Sequence, residues 1–355
     1  MMNHKERTAA AMNFQQPDRV PRYWQTFWAE FEHNWADQYG KTDLFDHFGD
    51  DMKLVVADEC PWPSKVEVIS EDSQWVVART GWGEIKRTLP VKDRGQQAMG
   101  ELLEAPVTER IDPDGLEFED PRADSRYEEA GKKAAAFRDE YYCMCKTGGP
   151  YLRAAFMRGE TEFWMDVAED PDWVRVFVDR IVDHLIVIGL ESLRRFDLYE
   201  TGIAIYDDVA ASWGPFVGPE NYEKIFLPAL RRMVKAYKGA GAKKVMHHSD
   251  GNNLTLLDMW VDAGIDAINP VEYRAGMDAV KLREQYADKL VCVGGLDNCA
   301  ILPRGDKAET KDHVEYLLGA GTGGGYILGP HSIGPDITPE TMEYIRQLLD
   351  NDTTG

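Results

Sequence analysis

The stretch KKVMHHSDGNNLTLLDMWVDAGIDAINPVEYRAGMDAVKLREQYADKLVCVG, residues 243–294, repeats one local pattern more than twice. Short runs with the length and composition of strands alternate with segments whose apolar residues recur every three or four positions, as in a helix. The predicted strands here are 243–247, 267–271 and 290–294, and the predicted helices are 253–263 and 278–287. Strands that alternate with helices predict parallel pairing through right-handed crossovers.

The same alternation extends along most of the chain. The further predicted strands are 19–27, 53–57, 141–146, 198–206 and 325–328, and the further predicted helices are 171–196, 219–238, 307–318 and 339–349. Eight strands are what a (β/α)8 TIM barrel needs, so we predict an α/β fold of this type. An open doubly wound sheet is the alternative, but the sequence has no glycine-rich strand-to-helix turn that would hold a dinucleotide.

One region departs from the alternation. Residues 66–90 resemble an antiparallel hairpin around Gly81-Trp82-Gly83, and 94–124, rich in Pro, Asp and Glu, resemble a surface connection. We therefore predict a single TIM-barrel domain over 1–355, in which 66–124 are a hairpin insertion and its connection.

Composition narrows the class of partner. The 355 residues include 40 Lys and Arg against 62 Asp and Glu, for a formal charge of -22, which opposes binding to nucleic acid or to an anionic membrane surface. The N-terminal residues lack the apolar core of a signal peptide, so we expect a cytoplasmic protein with no membrane contact. Five cysteines at irregular spacing argue against a disulfide framework.

Polar side chains follow most of the later strands. In a TIM barrel the active site lies at the carboxyl ends of the strands, so these side chains should meet at one mouth, which predicts an enzyme. The candidates for catalysis are His248, Asp250, Asp207, Asp208 and His331. The candidates for substrate binding from the same positions are Asn269, Glu272, Asp297 and Tyr326.

Several of these residues have a purely structural interpretation. Because neighbouring strand residues face opposite ways, at most one of His247 and His248 should point into the site. Asp250 could instead form an Asx-turn or cap the next helix. Cys143 and Cys145 share one strand face and could ligate a soft metal, but without a second cysteine pair they fit better as small apolar residues.

Aromatic residues cluster near two predicted strand ends. Walls of aromatic rings suit a flat apolar ligand, so we expect some of these rings to bind substrate while most of the others fill the core. The rings assigned to substrate binding are Tyr23, Trp24, Phe27, Trp28 and Trp213.

The strand-end segments resemble a known family. The motifs are VMHHSDGN at 245–252, AGIDAINPVEYRAGMD at 263–278, VCVGGLDN at 291–298 and GGGYILGPHSI at 323–333, with TPE at 338–340. In order and along nearly the whole chain, they resemble the uroporphyrinogen decarboxylase superfamily, and within it the corrinoid-dependent methyltransferase branch. That resemblance implies a TIM barrel.

Two sequence features distinguish the chain from the other branches of the superfamily that it resembles. Porphyrinogen decarboxylases carry several N-terminal arginines for the substrate carboxylates, whereas here Arg22 is followed by a run of aromatic residues. Thiol-methylating members bind zinc through a His-x-Cys-Gly segment and a later Cys, and here those positions are His248-Ser249-Asp250-Gly251 and His331. A zinc ion on His248, Asp250 and His331 stays open, since zinc accepts imidazole and carboxylate ligands.

The remaining resemblance, to the methyltransferases of O-demethylase systems, implies transfer of a methyl group from a methyl ether, often a methoxyarene, to Co(I) of a separate corrinoid protein. Cobalamin would belong to that partner, because the Asp-x-His-x-x-Gly cobalamin signature is absent from the sequence. We expect His248, kept protonated by a carboxylate neighbour that raises its pKa, to protonate the leaving oxygen, with His331 as the alternative. A porphyrinogen decarboxylase and a non-catalytic binding barrel are the other candidates, and monomer and homodimer both stay open.

Overall fold

The strands follow the predicted alternation closely. The computed structural model describes residues 1–89 and 100–351. Its strands are β1 Met52–Val56, β2 Glu67–Glu71, β3 Val76–Arg79, β4 Ile85–Thr88, β5 Glu101–Glu104, β6 Tyr142–Gly148, β7 Ile203–Tyr206, β8 Ala210–Ala211, β9 Gly214–Pro215, β10 Val245–His248, β11 Ala267–Val271, β12 Val291–Gly295 and β13 Tyr326–Gly329. Seven of them form one parallel sheet in the order β1-β6-β7-β10-β11-β12-β13.

Helices surround this sheet, and α1 packs against the apolar cluster of its interior. They are α1 His4–Met12, α2 Ala29–Tyr39, α3 Leu44–His47, α4 Glu128–Phe137, α5 Pro150–Arg158, α6 Glu160–Glu169, α7 Pro171–Phe196, α8 Gly218–Asn221, α9 Leu227–Gly239, α10 Leu257–Ala263, α11 Ala279–Tyr286, α12 Ile301–Arg304, α13 Lys307–Gly319 and α14 Pro339–Asp350. No helix in the described part of the chain is long and apolar enough to cross a bilayer.

The sheet curls until its two outer strands meet an irregular segment. The amide of Tyr23 donates to the carbonyl of Leu328 in β13 at 2.8 Å, and the amide of Asp51 donates to the carbonyl of Arg22 at 2.8 Å. Residues around Arg22 thus take the eighth position between β13 and β1. The predicted α/β barrel is confirmed.

The prediction of a regular strand at 19–27 was wrong. The segment makes only isolated parallel bridges, from Arg22 to Leu328 and from Phe27 to Ile333. The reason lies in its amides: those of Arg22 and Trp24 donate to the carboxylates of Asp51 and Asp50, not to a neighbouring strand. Side chains therefore replace one ladder of backbone hydrogen bonds.

The helix predicted at 219–238 is interrupted. Between α8 and α9 lies one π-helical turn, Tyr222–Phe226, in which the amide of Leu227 donates to the carbonyl of Tyr222. Pro228 has no N–H group for the regular ladder, which explains the local change of hydrogen-bond period.

The segment predicted at 253–263 begins with a 3-10 turn, Leu254–Leu256, before α10. The strand predicted at 198–206 begins only at Ile203, because the amide of Gly202 turns back to the carbonyl of Leu198.

The insertion is larger than the predicted hairpin. Strands β2, β3, β4 and β5 form one antiparallel sheet, so the antiparallel prediction for 66–90 is confirmed over its described residues. Glu101–Glu104, expected in a surface connection, instead pairs with β4. Pro90, residues 94–99 of that connection and the last four residues of the predicted domain lie outside the described residues. The single-domain assignment stays a prediction.

Apolar side chains fill two layers. Inside the barrel are Met52, Tyr142, Met144, Met246 and Val293, and between the sheet and the helices lies a larger apolar layer. Cys143 and Cys145 are buried in that outer layer among apolar side chains, as small hydrophobic residues would be. All five cysteines are free.

Candidate active site

The predicted histidines and aspartates meet at the carboxyl ends of the strands. His248 is the last residue of β10, Asp208 follows β7, and His331 follows β13. Asp250 lies between them: its carboxylate is 3.8 Å from Nε2 of His248 and 3.3 Å from Nε2 of His331. One ligand atom from each of His248, Asp250 and His331 lies within 4.8 Å of the others. We call these three residues the mouth cluster.

A hydrogen bond orients the imidazole of His248. Its Nδ1 is 2.7 Å from Oδ1 of Asn269, while the Asn269 amide nitrogen faces the carbonyl of Val293 at 3.4 Å. An amide oxygen only accepts, so Nδ1 carries the hydrogen. In the neutral ring the lone pair of Nε2 then faces Asp208 at 3.7 Å and Asp250 at 3.8 Å.

Backbone contacts position the Asp250 loop. The amide of Asp250 donates to Asp208 at 3.1 Å, and the amide of Gly251 donates to Glu272 at 2.7 Å. Gly251 has φ +85°, and a Cβ there would lie 2.6 Å from the carbonyl oxygen of Ala210. The turn therefore requires glycine. Among the described residues Oδ1 of Asp250 accepts no hydrogen bond, so the capping interpretation finds no support.

Burial changes the protonation of the cluster. It lowers the pKa of His248, and the nearby Asp208 carboxylate only partly opposes this. It raises the pKa of Asp250, and the charges of Asp208 and Glu272 raise it further. The Asp208 carboxylate does raise the pKa of His248, but loss of solvation lowers it more, so the expectation that a carboxylate neighbour keeps His248 protonated was wrong. In this pair the neutral imidazole and the protonated carboxyl are favoured.

Only one histidine of the pair faces the mouth, as expected. The ring of His247 points outward, stacks on Trp260 at 4.1 Å and is fully buried. The two aspartates after β7 also separate. Asp207 is fully buried and accepts hydrogen bonds from the amides of Tyr151 and Leu152 at the start of α5, so only Asp208 reaches the mouth cluster.

Other predicted residues lie elsewhere. Asp297 accepts from the amides of Cys299 and Ala300 within its own loop. The Tyr326 hydroxyl is buried and donates to the carbonyl of Gly294 at 2.6 Å. Phe27 is fully buried in the core, and Trp213, on the β8–β9 hairpin, is 72% exposed. Trp28 is half-buried at the start of α2.

One cavity borders the mouth cluster, and a second reaches Tyr206, whose ring stacks on His248. One, of about 310 Å³, is bordered by Asp250, Glu272 and His331. The other, of about 570 Å³, includes Tyr23, Trp24 and Tyr206 in its wall. We call them the acidic cavity and the aromatic cavity. Their linings contain no arginine among the described residues.

Sequence reasoning missed two residues of this region. Tyr206 stacks on His248 with ring centroids 3.9 Å apart, and Lys146 lies over the Tyr206 ring at 5.1 Å. The Tyr206 hydroxyl is also 3.4 Å from that of Tyr23. Both missed residues stand at or near the ends of predicted strands, and a lysine closing the apolar run YYCMCK was the available signal.

Comparison with known proteins identifies the family. The sequence model of the uroporphyrinogen decarboxylase (URO-D) family matches residues 99–351. Two curated relatives are a uroporphyrinogen decarboxylase of Streptomyces coelicolor, 24% identical over 203 residues, and the methylcobamide:CoM methyltransferase MtbA of Methanosarcina mazei, 27% identical over 180 residues. These matches cover 56% and 49% of this chain and 50% and 48% of the relatives, so they span about half the length of each.

A solved structure agrees over the whole fold. A methyltransferase from Methanosarcina mazei superposes with a TM-score of 0.69 at 16% identity, covering 99% of both chains. At that identity the likeness concerns the fold. Taken with the match over 99–351, it leads to one assignment: the chain belongs to the uroporphyrinogen decarboxylase (URO-D) family.

Proposed function

We propose that the protein is the methyltransferase of a corrinoid-dependent O-demethylase system. It moves the methyl group of a methyl ether, a methoxyarene in our proposal, to Co(I) of cobalamin carried by a separate corrinoid protein. The observation that supports this most is the mouth cluster, in which His248, Asp250 and His331 converge and the last two border the acidic cavity. Relatives named as methyltransferases support the same class.

The chemical task of this chain is the leaving oxygen. Co(I) supplies the electron pair for the new cobalt–carbon bond, the methyl–oxygen bond breaks, and its electrons stay on oxygen. A phenol has a pKa of about 10, so a proton delivered to that oxygen eases departure. The raised pKa of Asp250 makes it the donor, with neutral His248 lying 3.8 Å from its carboxyl group.

The same three side chains fit a zinc ion. His248 offers the Nε2 lone pair, its Nδ1 hydrogen is held by Asn269, and Oδ1 of Asp250 has no partner among the described residues. Two imidazoles and one carboxylate with room for a fourth ligand are typical of catalytic zinc sites. Bound there, zinc would polarise the leaving oxygen as a Lewis acid.

The decisive experiment follows methyl transfer directly. Purified protein is mixed anaerobically with Co(I) corrinoid, free and on a carrier protein, and with a panel of methoxyarenes. We expect the methyl-Co(III) spectrum with an aryl ether. Its absence, while a known demethylase succeeds on the same corrinoid and donors, would overturn the proposal.

A second set of measurements distinguishes a proton donor from a zinc ion as the group that assists the leaving oxygen. Acid assistance predicts that Asp250→Asn and His248→Ala lose transfer from neutral ethers but keep transfer from a sulfonium donor, which needs no proton. Zinc assistance predicts one equivalent of zinc per chain, loss of activity with a chelator, and loss of zinc in His331→Ala.

A porphyrinogen decarboxylase is the second candidate, favoured by the Streptomyces relative. The N-terminal arginines argue against it. Arg22 is buried and bonded to the carbonyl of Phe48 and to Asp350, and Arg19 pairs with Asp51. A substrate with several carboxylates would need free arginines in their place. Decarboxylation of a porphyrinogen by the purified protein would favour this candidate.

A further inference from the structure

A third cavity, of about 250 Å³, lies where α13 and α14 begin. It shares no described lining residue with the acidic or the aromatic cavity. The side chains in its wall are those of Lys307, Thr310, Thr338, Glu340, Thr341 and Tyr344. Because most of them carry a hydroxyl group, we call it the hydroxyl cavity.

The place of this cavity in the fold favours an anion. Lys307 is the first residue of α13, and Thr338 is the N-cap of α14, so two helices begin at the cavity wall. The amino end of a helix carries a partial positive charge. These two helices follow β12 and β13, the last strands of the barrel, where TIM barrels frequently hold a phosphate group.

Thr310 gives an independent indication of a ligand. Its side chain is fully buried, and its Oγ1 has no hydrogen-bond partner among the described residues. Buried hydroxyl groups nearly always have such a partner. Since Thr310 borders the hydroxyl cavity, an acceptor atom bound there would supply the missing hydrogen bond.

Lys307 brings a positive charge to the same cavity. Its Nζ lies over the ring of Tyr344, 5.3 Å from the ring centroid, which keeps the ammonium at the wall. No carboxylate in the described part of the chain forms an ion pair with it. The ammonium is therefore available to a bound anion.

Two carboxylates near the cavity would repel an anion, but both are turned to other partners. Glu340 accepts a hydrogen bond from the side-chain amide of Gln38, and Asp306 accepts one from the amide of Glu309 at 2.9 Å. Both carboxylates are also exposed, so water and salt screen their charges.

We propose that the hydroxyl cavity binds an oxyanion of the phosphate class, with the Lys307 ammonium and the Thr310 hydroxyl as its donors. A phosphate group has several acceptor oxygens, which suits a wall that offers one ammonium and several hydroxyls. At about 30 Å³ per water molecule, the cavity has room for about eight, so free phosphate and a small phosphate ester both fit. This inference does not depend on the proposed function.

The binding test titrates inorganic phosphate and glycerol 3-phosphate into the whole protein by calorimetry at neutral pH. We expect one saturable site per chain. Lys307→Met and Thr310→Val should each weaken binding at least about tenfold, because each removes a hydrogen bond to a charged group. Lys311→Met, one turn further along α13 and paired with Glu315, is the matched control and should change binding less than about twofold.

Two results would overturn the site: no saturable binding of either ligand by wild type, or an equal loss in Lys307→Met and Lys311→Met. Tighter binding of the ester than of inorganic phosphate would identify a phosphorylated small molecule as the ligand. Equal binding of the two would identify free phosphate.

Two further variants test the donors and the sign of the ligand charge. Thr310→Val keeps the side-chain shape, so its thermal unfolding midpoint without phosphate should match that of wild type. A lower midpoint would show that the hydroxyl has an internal partner and would overturn its role as a donor. Glu340→Gln removes a negative charge from the wall and should tighten phosphate binding, whereas weaker binding would overturn the assignment of an anion.

Discussion

Asn269 determines which nitrogen of His248 faces the mouth. Its amide oxygen accepts a hydrogen bond from Nδ1 of His248, with 2.7 Å between the two atoms, which leaves Nε2 for Asp208, Asp250 or a metal. Partners of this kind orient a ligating or proton-transferring imidazole without touching the substrate. We therefore assign Asn269 a positioning role.

Replacing Asn269 by Leu should lower kcat/KM for methyl transfer about 10- to 100-fold, because the ring loses its preferred tautomer and orientation. The ring 15N NMR shifts of His248 should change from the Nδ1–H form to a mixture of tautomers. Asn269→Gln, which keeps an amide, is the comparison variant. An Asn269→Leu protein with wild-type ring shifts would contradict the positioning role.

Asp51 is a second residue whose contacts connect several segments of the chain. It is fully buried and contacts Nδ1 of His4, the guanidinium groups of Arg7 and Arg19, and the amide of Arg22. It thus ties α1 and the irregular segment around Arg22, which closes the barrel and which we call the seam, to the start of β1. Burial alone would raise the pKa of Asp51, but its bonds to His4 and Arg19 hold it below the ordinary value of 3.8.

Asp51→Asn should lower the free energy of unfolding at pH 7 by about 3 kcal/mol or more, because buried guanidinium groups lose their counter-charge. A carboxylate with a depressed folded-state pKa contributes stability above its unfolded pKa and loses it as the pH falls through the folded value. The difference between the two proteins should therefore shrink below pH 3.8. Urea unfolding across this range measures it. Asp350→Asn, at a partly exposed partner of Arg22, should cost under about 1 kcal/mol.

At the scale of elements, the closure of the barrel includes one very close approach of two backbone segments. A Cβ added to Gly329 at the end of β13 would lie 2.0 Å from the carbonyl oxygen of Tyr23. Here the end of β13 meets the segment around Arg22. That segment is held by two carboxylates and two isolated bridges, so few regular sheet hydrogen bonds connect it to β13.

Gly329→Ala should destabilise the protein by about 3 kcal/mol or more, since backbone must move to admit the methyl group. Hydrogen exchange of the Tyr23 amide should accelerate, because that amide bonds across the seam to Leu328. The matched control is Gly319→Ala at the end of α13, where a Cβ meets nothing within 4 Å and the change should stay within about 1 kcal/mol. Similar stabilities for both variants would argue against a tight seam.

At the scale of the whole molecule, a corrinoid protein must reach the mouth. The β8–β9 hairpin borders the acidic cavity through Ala210, Ala211 and Ser212, and it carries Trp213, which is 72% exposed. An exposed tryptophan beside the mouth is the kind of residue that contributes most to protein association.

Under the proposed function, Trp213→Ser should reduce methyl transfer to carrier-bound corrinoid about tenfold or more, while transfer to free cobalamin is kept. Tyr316→Ser, at an exposed ring on α13, is the control for loss of surface aromatic area. Steady-state rates with both acceptors provide the measurement. An equal loss with free and bound corrinoid would contradict docking at this hairpin.

The sequence alone determined the barrel class and the three residues of the mouth cluster. The periodicity of apolar residues in a strand or helix depends on nearby residues only. The predicted bounds of β11 and α7 therefore match the observed bounds at both ends. Because parallel strands end at one mouth, the convergence of His248, Asp250 and His331 could also be predicted.

Only the tertiary structure decided what depends on distant neighbours. The amides of Arg22 and Trp24 bind carboxylates that lie 29 and 26 residues away, which local pattern cannot show. The direction of the His248 pKa followed from burial and not from its nearest charges. Likewise, the pairing of Arg153 with Glu59 joins residues that are 94 positions apart in the chain. Periodicity is a property of nearby residues, whereas solvation and charge balance are properties of the packed whole.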